Sequence, residues 1–97
     1  MAVYKFYGAK VQAPANVGSA TTVGNAKLVY ITNVGSTVRL VTLANAADAT
    51  LATFSVVGGD TLVIAKESTD QLFAAHTEIE FNSVQHIEPN AFCSIQN

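Results

Sequence analysis

Charge is what this chain has least of. Only 12% of its 97 residues are Asp, Glu, Lys or Arg, about half of the roughly 25% usual in a globular domain. The five basic residues, Lys5, Lys10, Lys27, Arg39 and Lys66, stand singly along the chain, and the formal net charge is −2. They form no patch that could neutralise a phosphate backbone, which argues against nucleic acid as a partner. Tryptophan is absent and there is one cysteine, Cys93. A lone thiol closes no intrachain disulfide, and a small secreted scaffold carries a denser, even set, so an intracellular origin is expected. No apolar run approaches the roughly 18 residues of a membrane span. Met1-Ala2-Val3-Tyr4-Lys5 lacks the basic-then-apolar layout of a secretory leader.

What is present is apolar and β-forming. Hydrophobic residues make up 49% of the chain, and the mean hydropathy is +0.31. One domain of this length can bury roughly 60–65% of its unfolded surface, enough for a modest core without metal or disulfide. So little charge on so small a domain implies that part of its outside sits against other protein chains.

Short alternating runs recur. Val3, Lys5 and Tyr7 face one way and Tyr4 and Phe6 the other, which reads as a short first strand. Residues 8–25 are rich in Gly, Ala, Asn, Ser and Thr around Pro14 and read as an extended arm, with at most a short strand near 10–13. Such a segment buries little core and gains order by lying on a neighbour. Strands follow at 27–32, 37–43, 50–57, 61–65, 71–75 and 78–86, and Pro89 ends the last. Asn33-Val34-Gly35-Ser36 and Gly58-Gly59-Asp60 have the length and composition of hairpin turns. Asn45-Ala46-Ala47-Asp48 has room for one turn.

Turns every 8–12 residues between short β runs predict an all-β fold, a single sandwich of about seven mostly antiparallel strands, immunoglobulin-like or jelly-roll. The divisions are 1–25, N-terminal strand and arm; 26–88, sandwich core; and 89–97, C-terminal tail. Alternation nominates as core Leu28 or its neighbours Val29 and Ile31, then Val38, Leu40, Phe54, Val56, Leu62, Ile64, Leu72, Ile79 and Phe81. Around Leu28–Ile31 both faces are apolar, as in a central strand or one paired with another chain.

Signals for catalysis or metal are weak. Cys93 with His76 or His86 has no spacing that supports a nucleophile and base. Two histidines and a distant cysteine fall short of a zinc ligand set. Glu78 and Glu80 share a strand face, whereas paired catalytic carboxylates come from separate elements across a cleft. With Glu67 and Asp70 they could offer oxygens to Ca²⁺, but no loop has the dense acidic spacing of such a site. Gly58-Gly59-Asp60 lacks the Lys-Ser/Thr ending of a phosphate loop. Tyr4, Phe6 and Tyr7 could form a sugar platform; as aromatics at a strand-bearing terminus they read better as interface anchors, together with Phe92. No catalytic residue, cofactor or metal is expected.

Gly58-Gly59-Asp60-Thr61-Leu62-Val63-Ile64-Ala65-Lys66, followed by Ser68-Thr69-Asp70-Gln71-Leu72-Phe73-Ala74-Ala75, resembles small virion proteins of tailed phages, especially those of marine cyanobacterial phages. The stretch around Asn33-Val34-Gly35-Ser36 is similar to the same group, so the resemblance covers roughly residues 26–84. It implies a β-sandwich that attaches to the capsid or another part of the particle in many copies, and it implies no catalytic residues. The expected function is therefore that of a non-enzymatic virion structural protein, a capsid decoration or cement protein. Its expected partners are its own copies and the major capsid or another virion protein, with no nucleic acid and no membrane. The expected location is the virion, after synthesis in the host cytoplasm. The alternatives are a tail, fibre or connector component, and a carbohydrate- or ligand-binding module; the latter needs exposed aromatics on one sheet face, and the chain has only eight aromatics in all.

Overall fold

The computed structural model describes residues 3–74 and 76–87. Seven strands follow one another: β1 (Val3–Gln12), β2 (Leu28–Asn33), β3 (Arg39–Ala44), β4 (Thr50–Val56), β5 (Thr61–Ala65), β6 (Gln71–Ala74) and β7 (Ile79–Ile87). They build two antiparallel sheets, β1-β7-β2-β5 and β4-β3-β6. The chain is thus the all-β sandwich that its turn spacing predicts. Pairing β2 with β5 and β3 with β6 matches the immunoglobulin scheme, in which the last strand then joins the sixth. Here β7 lies instead between β1 and β2 in the other sheet. No helix among the described residues is long and apolar enough to cross a membrane.

The core forms where one face of each sheet meets the other. Val29 and Ile31 of β2, Ile79 and Phe81 of β7, Val41 of β3, Val56 of β4, and Leu72 and Ala74 of β6 are all buried. Burying a side chain of this size stabilises by roughly 1.5–3 kcal/mol. The choice between Leu28 and its neighbours resolves to Val29 and Ile31, as befits a strand flanked on both sides. Three nominated core residues are misassigned. Val38 and Leu40 are more than half exposed, because register sets Val41 opposite both Phe54 and Ala74 and turns Leu40 outward. The run Val38-Arg39-Leu40-Val41-Thr42-Leu43 carries apolar residues in both phases, so alternation could not choose. Leu62 faces the core side opposite Ile31, yet it stays 39% exposed because β5 is an edge strand.

Both expected hairpins are also corrected. β2 and β3 lie in different sheets, as do β4 and β5, so Asn33–Ser36 and Gly58–Asp60 carry the chain across the sandwich. In the second, Asp60 N–H donates to Val57 C=O at 3.0 Å, and Gly59 holds φ +79 as the third residue of the turn. Positive φ at that position alone defines a type II turn, which splays strands where the I′ and II′ turns would pair them. The one connection that joins paired neighbours is Asn45–Ala49, between β3 and β4. Asp48 N–H donates to Asn45 C=O at 3.0 Å, Asn45 Oδ1 accepts from the Ala47 and Ala49 amides, and Asp48 takes φ +66. A type I turn followed by a left-handed residue is a regular hairpin loop, here without glycine.

The segment read as an arm belongs to the body of the domain. β1 runs to Gln12 along β7, and Ala13 and Val23 sit in the core cluster. Ala74 N–H donates to Pro14 C=O at 2.8 Å, and Thr21 exchanges two backbone bonds with Leu72. Residues 14–21 thereby cover the outer edge of β6, a protection that edge strands generally need. Val23, Gly24 and Asn25 all adopt positive φ. For β-branched Val23, φ +53 is strained by about 1–3 kcal/mol. Its burial, at 3% exposure, supplies the offset.

Candidate functional site: an aromatic edge strand

β1 is an edge strand of the four-stranded sheet. Its antiparallel register sets Tyr4 opposite His86, Phe6 opposite Val84 and Tyr7 opposite Ser83. Directly opposed residues share a face, so Phe6 lies with Val84 on the outer side and Tyr7 with Ser83 on the other. Tyr4, Phe6 and Tyr7 are 37%, 51% and 41% exposed. All three nominated anchors within the described residues therefore reach the surface, on two opposite faces. Phe92 and Cys93 lie outside the described residues, as do the tail and Pro89.

Each face has its own contacts. Phe6 meets Tyr30 of β2 edge to face, with ring centroids 5.1 Å apart at 81°, an arrangement worth about 0.5–1.5 kcal/mol beyond area. Tyr7 Oη donates to Gln85 Oε1, Ser83 Oγ donates to Tyr7 C=O at 2.6 Å, and Lys5 Nζ lies 5.5 Å from the Tyr7 ring centroid. Between Tyr7 and Val11 the register slips, and Gly8 takes φ +66 there. This irregularity aims Lys10 at Glu80, whose Oε1 it meets at 2.9 Å. Two shallow clefts result. One of about 230 Å³ lies on the outer face among Phe6, Lys10, Tyr30, Thr32, Glu80 and Asn82. The other, about 310 Å³, lies by Tyr7, Ser83, Gln85 and residues 24–28.

The residues weighed for catalysis or metal are scattered. Glu78 Oε1 accepts from Arg39 Nε and Nη2 at 3.2 and 3.1 Å. The Glu78 amide lies 3.1 Å from His76 Nδ1, and the same nitrogen lies 3.4 Å from Glu78 Oε1. Glu80 turns to Lys10 on the outer face, and Asp70 Oδ2 accepts from the Glu67 amide at 3.1 Å. Among the described residues no three His, Cys, Asp or Glu side chains gather as metal ligands would. Arg39, His76 and Glu78 instead bind the β2–β3 crossover to the β6–β7 crossover, where Val34 N–H also donates to Glu78 C=O at 2.9 Å.

Three buried polar residues went unseen in sequence. Asn33, fully buried, donates through Nδ2 to Thr37 C=O at 2.7 Å and to Val56 C=O at 2.9 Å, while its Oδ1 accepts from Gly35 N–H. A fully bonded amide in that place ties two crossovers together; Asn before a Val-Gly step was its only signal. Lys66 and Asp70 are each 8% exposed. Burial pushes the Lys66 ammonium below its ordinary pKa of 10.5, and the nearby Asp70 carboxylate restores part of it. Their Nζ and carboxylate bonds go to the backbone of Glu67, so the pair closes the β5–β6 loop.

Comparison of the chain with protein-family models, with curated proteins and with solved structures finds no match.

Proposed function

We propose that this chain is a non-enzymatic structural subunit of a phage particle, a capsid decoration or cement protein present in many copies. The observation that carries the reading is the apolar surface the domain leaves uncovered. Among the described residues ten large hydrophobic side chains, including Tyr4, Phe6, Tyr7, Leu40, Leu51 and Val57, stand 37–57% exposed on a chain with 12% charged residues. Where exposed apolar side chains gather on a small domain, as Phe6 does with Tyr30 at a centroid distance of 5.1 Å, they favour contact with other macromolecules. The resemblance of residues 26–84 to small virion proteins supplies the kind of particle. Anchors such as Phe6 and Tyr7 suit a protein interface, where a few aromatics carry most of the binding energy.

The test is binding to particles that lack this protein. Purified chain should co-sediment with such capsids in a fixed ratio and raise their thermal stability. Phe6→Ala combined with Tyr7→Ala should weaken binding at least tenfold while the isolated domain stays folded. Binding to purified tails alone would move the proposal to a tail, fibre or connector role. A chain that binds neither capsids nor tails would end it.

A further inference from the structure

The sandwich manages its strand edges unequally. The outer edge of β6 is covered by residues 14–21. β1 carries Lys5 and Lys10, and antiparallel pairing with its own copy about the strand centre would set those two like charges opposite each other. β5 spans only five residues and ends between Asp60 and Lys66. β4 has none of these protections. Thr50-Leu51-Ala52-Thr53-Phe54-Ser55-Val56 holds no charge, no proline and no glycine, and among the described residues it pairs with β3 alone. Thr50, Leu51, Ala52, Thr53 and Ser55 are exposed, including Ala52, which shares the core-side face with Leu43. Beside it, Val38, Leu40 and Val57 are 54–57% exposed. An uncharged, open edge of this length is a template for another strand.

We propose that β4 joins two copies of this chain edge to edge, antiparallel about Thr53, turning two three-stranded sheets into one of six; this rests on the many-copy reading above. The occupant is argued from charge. A two-fold axis at Thr53 sets Ala52 opposite Phe54, Leu51 opposite Ser55 and Thr50 opposite Val56, and Asp48 falls opposite Gly58, so no like charges meet. Seven residues at about 3.4 Å each give an edge of roughly 24 Å. The shortest extent of the domain is 22 Å, so the contact covers at most roughly 500 Å² per partner, short of the roughly 800 Å² of a standard stable interface. The dimer is accordingly weak in solution and is reinforced where many copies share one surface.

Sedimentation velocity of the full chain, from the low-micromolar to the near-millimolar range, should show reversible monomer–dimer exchange. Thr53→Lys and Thr53→Glu should each weaken association at least tenfold, and an equimolar mixture of the two should restore it as a heterodimer. Leu51→Lys is the second variant should either fail to fold by circular dichroism. A wild-type chain that stays monomeric throughout overturns the proposal, as does a dimer that survives both Thr53 variants or a mixture that does not re-associate. The capsid assay stands apart. Dimerisation without capsid or tail binding would sink the virion role, and binding by a strictly monomeric chain would sink only the β4 contact.

Discussion

Gly58 and Gly59 occupy the same turn for different reasons, and alanine at each position separates them. A Cβ built on Gly58 would stand 2.7 Å from Ser36 Cα and O and nearer still to its carbonyl carbon. Because those atoms are backbone, one crossover must retreat by roughly 1 Å to restore ordinary contact near 3.5 Å. The contact is held by Gly59 N–H to Asn33 C=O at 2.9 Å, Asn33 N–H to Asp60 C=O at 3.1 Å, and Asn33 Nδ2 to Val56 C=O at 2.9 Å. Overpacking costs about 1–3 kcal/mol, and losing one buried partner adds about 1–3 kcal/mol. Gly58→Ala should therefore cost about 2–6 kcal/mol. At Gly59 a Cβ meets nothing within 4 Å, and the penalty is that of φ +79 alone. Left-handed strain of about 1–2 kcal/mol is partly offset by about 0.4–1 kcal/mol from a stiffer unfolded chain, leaving about 1 kcal/mol. Urea unfolding should show Gly58→Ala with the lower midpoint at an unchanged slope. Its Tm should fall by roughly 10 °C or more, against about 4–8 °C for Gly59→Ala. Equal losses, or the larger loss at Gly59, would refute the packing of this turn on Ser36.

Asn33→Leu should lower stability by about 2–4 kcal/mol in urea unfolding, since the Thr37, Val56 and Gly35 backbone groups lose their buried partner together. Lys66 gives a pH signature: with its folded pKa lowered beneath 10.5, the unfolded chain holds the extra proton between the two values, so its contribution to stability rises with pH across that window and is lost as pH falls through the folded value. Lys66→Met should remove that rise, seen as a wild-type-minus-variant stability difference that grows more favourable to wild type as pH rises toward 10.5. Gly35→Ala sets a Cβ against the Glu78 carboxylate, a movable group, and should cost no more than about 1 kcal/mol while displacing Glu78 from Arg39, detectable by NMR of the guanidinium. Deleting residues 1–25 strips β1 from β7, Ala13 and Val23 from the core and the cover from β6, so the remainder should lose cooperative thermal unfolding altogether.

Strand existence was legible in the chain because a strand is a local pattern. Thr61–Ala65 forms over the residues its composition marks, and Leu28–Asn33, Thr50–Val56 and Gln71–Ala74 fall within a residue or so of expectation. Which sheet a strand joins is not local. The Gly58-Gly59 turn looks the same in sequence whether it returns a strand to its neighbour or carries it across the sandwich. What separates the cases is the sign of φ at Gly58, and Gly58 packs against the backbone of Ser36, far off in the chain. The same distance hid the role of residues 13–25. Their small polar composition reads as an extended arm until Pro14 and Thr21 are seen bonding the edge of β6.

The candidate site was legible in kind more than in place. Low charge announces uncovered apolar surface, and the three aromatics of β1 were found because they crowd one short strand. Val38 and Leu40 were missed as surface because an apolar residue in a strand reads as core, whichever way it faces. Register turns Leu40 to the outer face. β4 closes a sheet of only three strands, and its core side is covered only toward its Val56 end, where Phe54 is half-buried and Val56 fully so. Ala52, on the core-side face opposite Leu43, is left exposed there. Composition thus measures how much apolar surface the domain leaves exposed, and topology sets which described strand edges stay open.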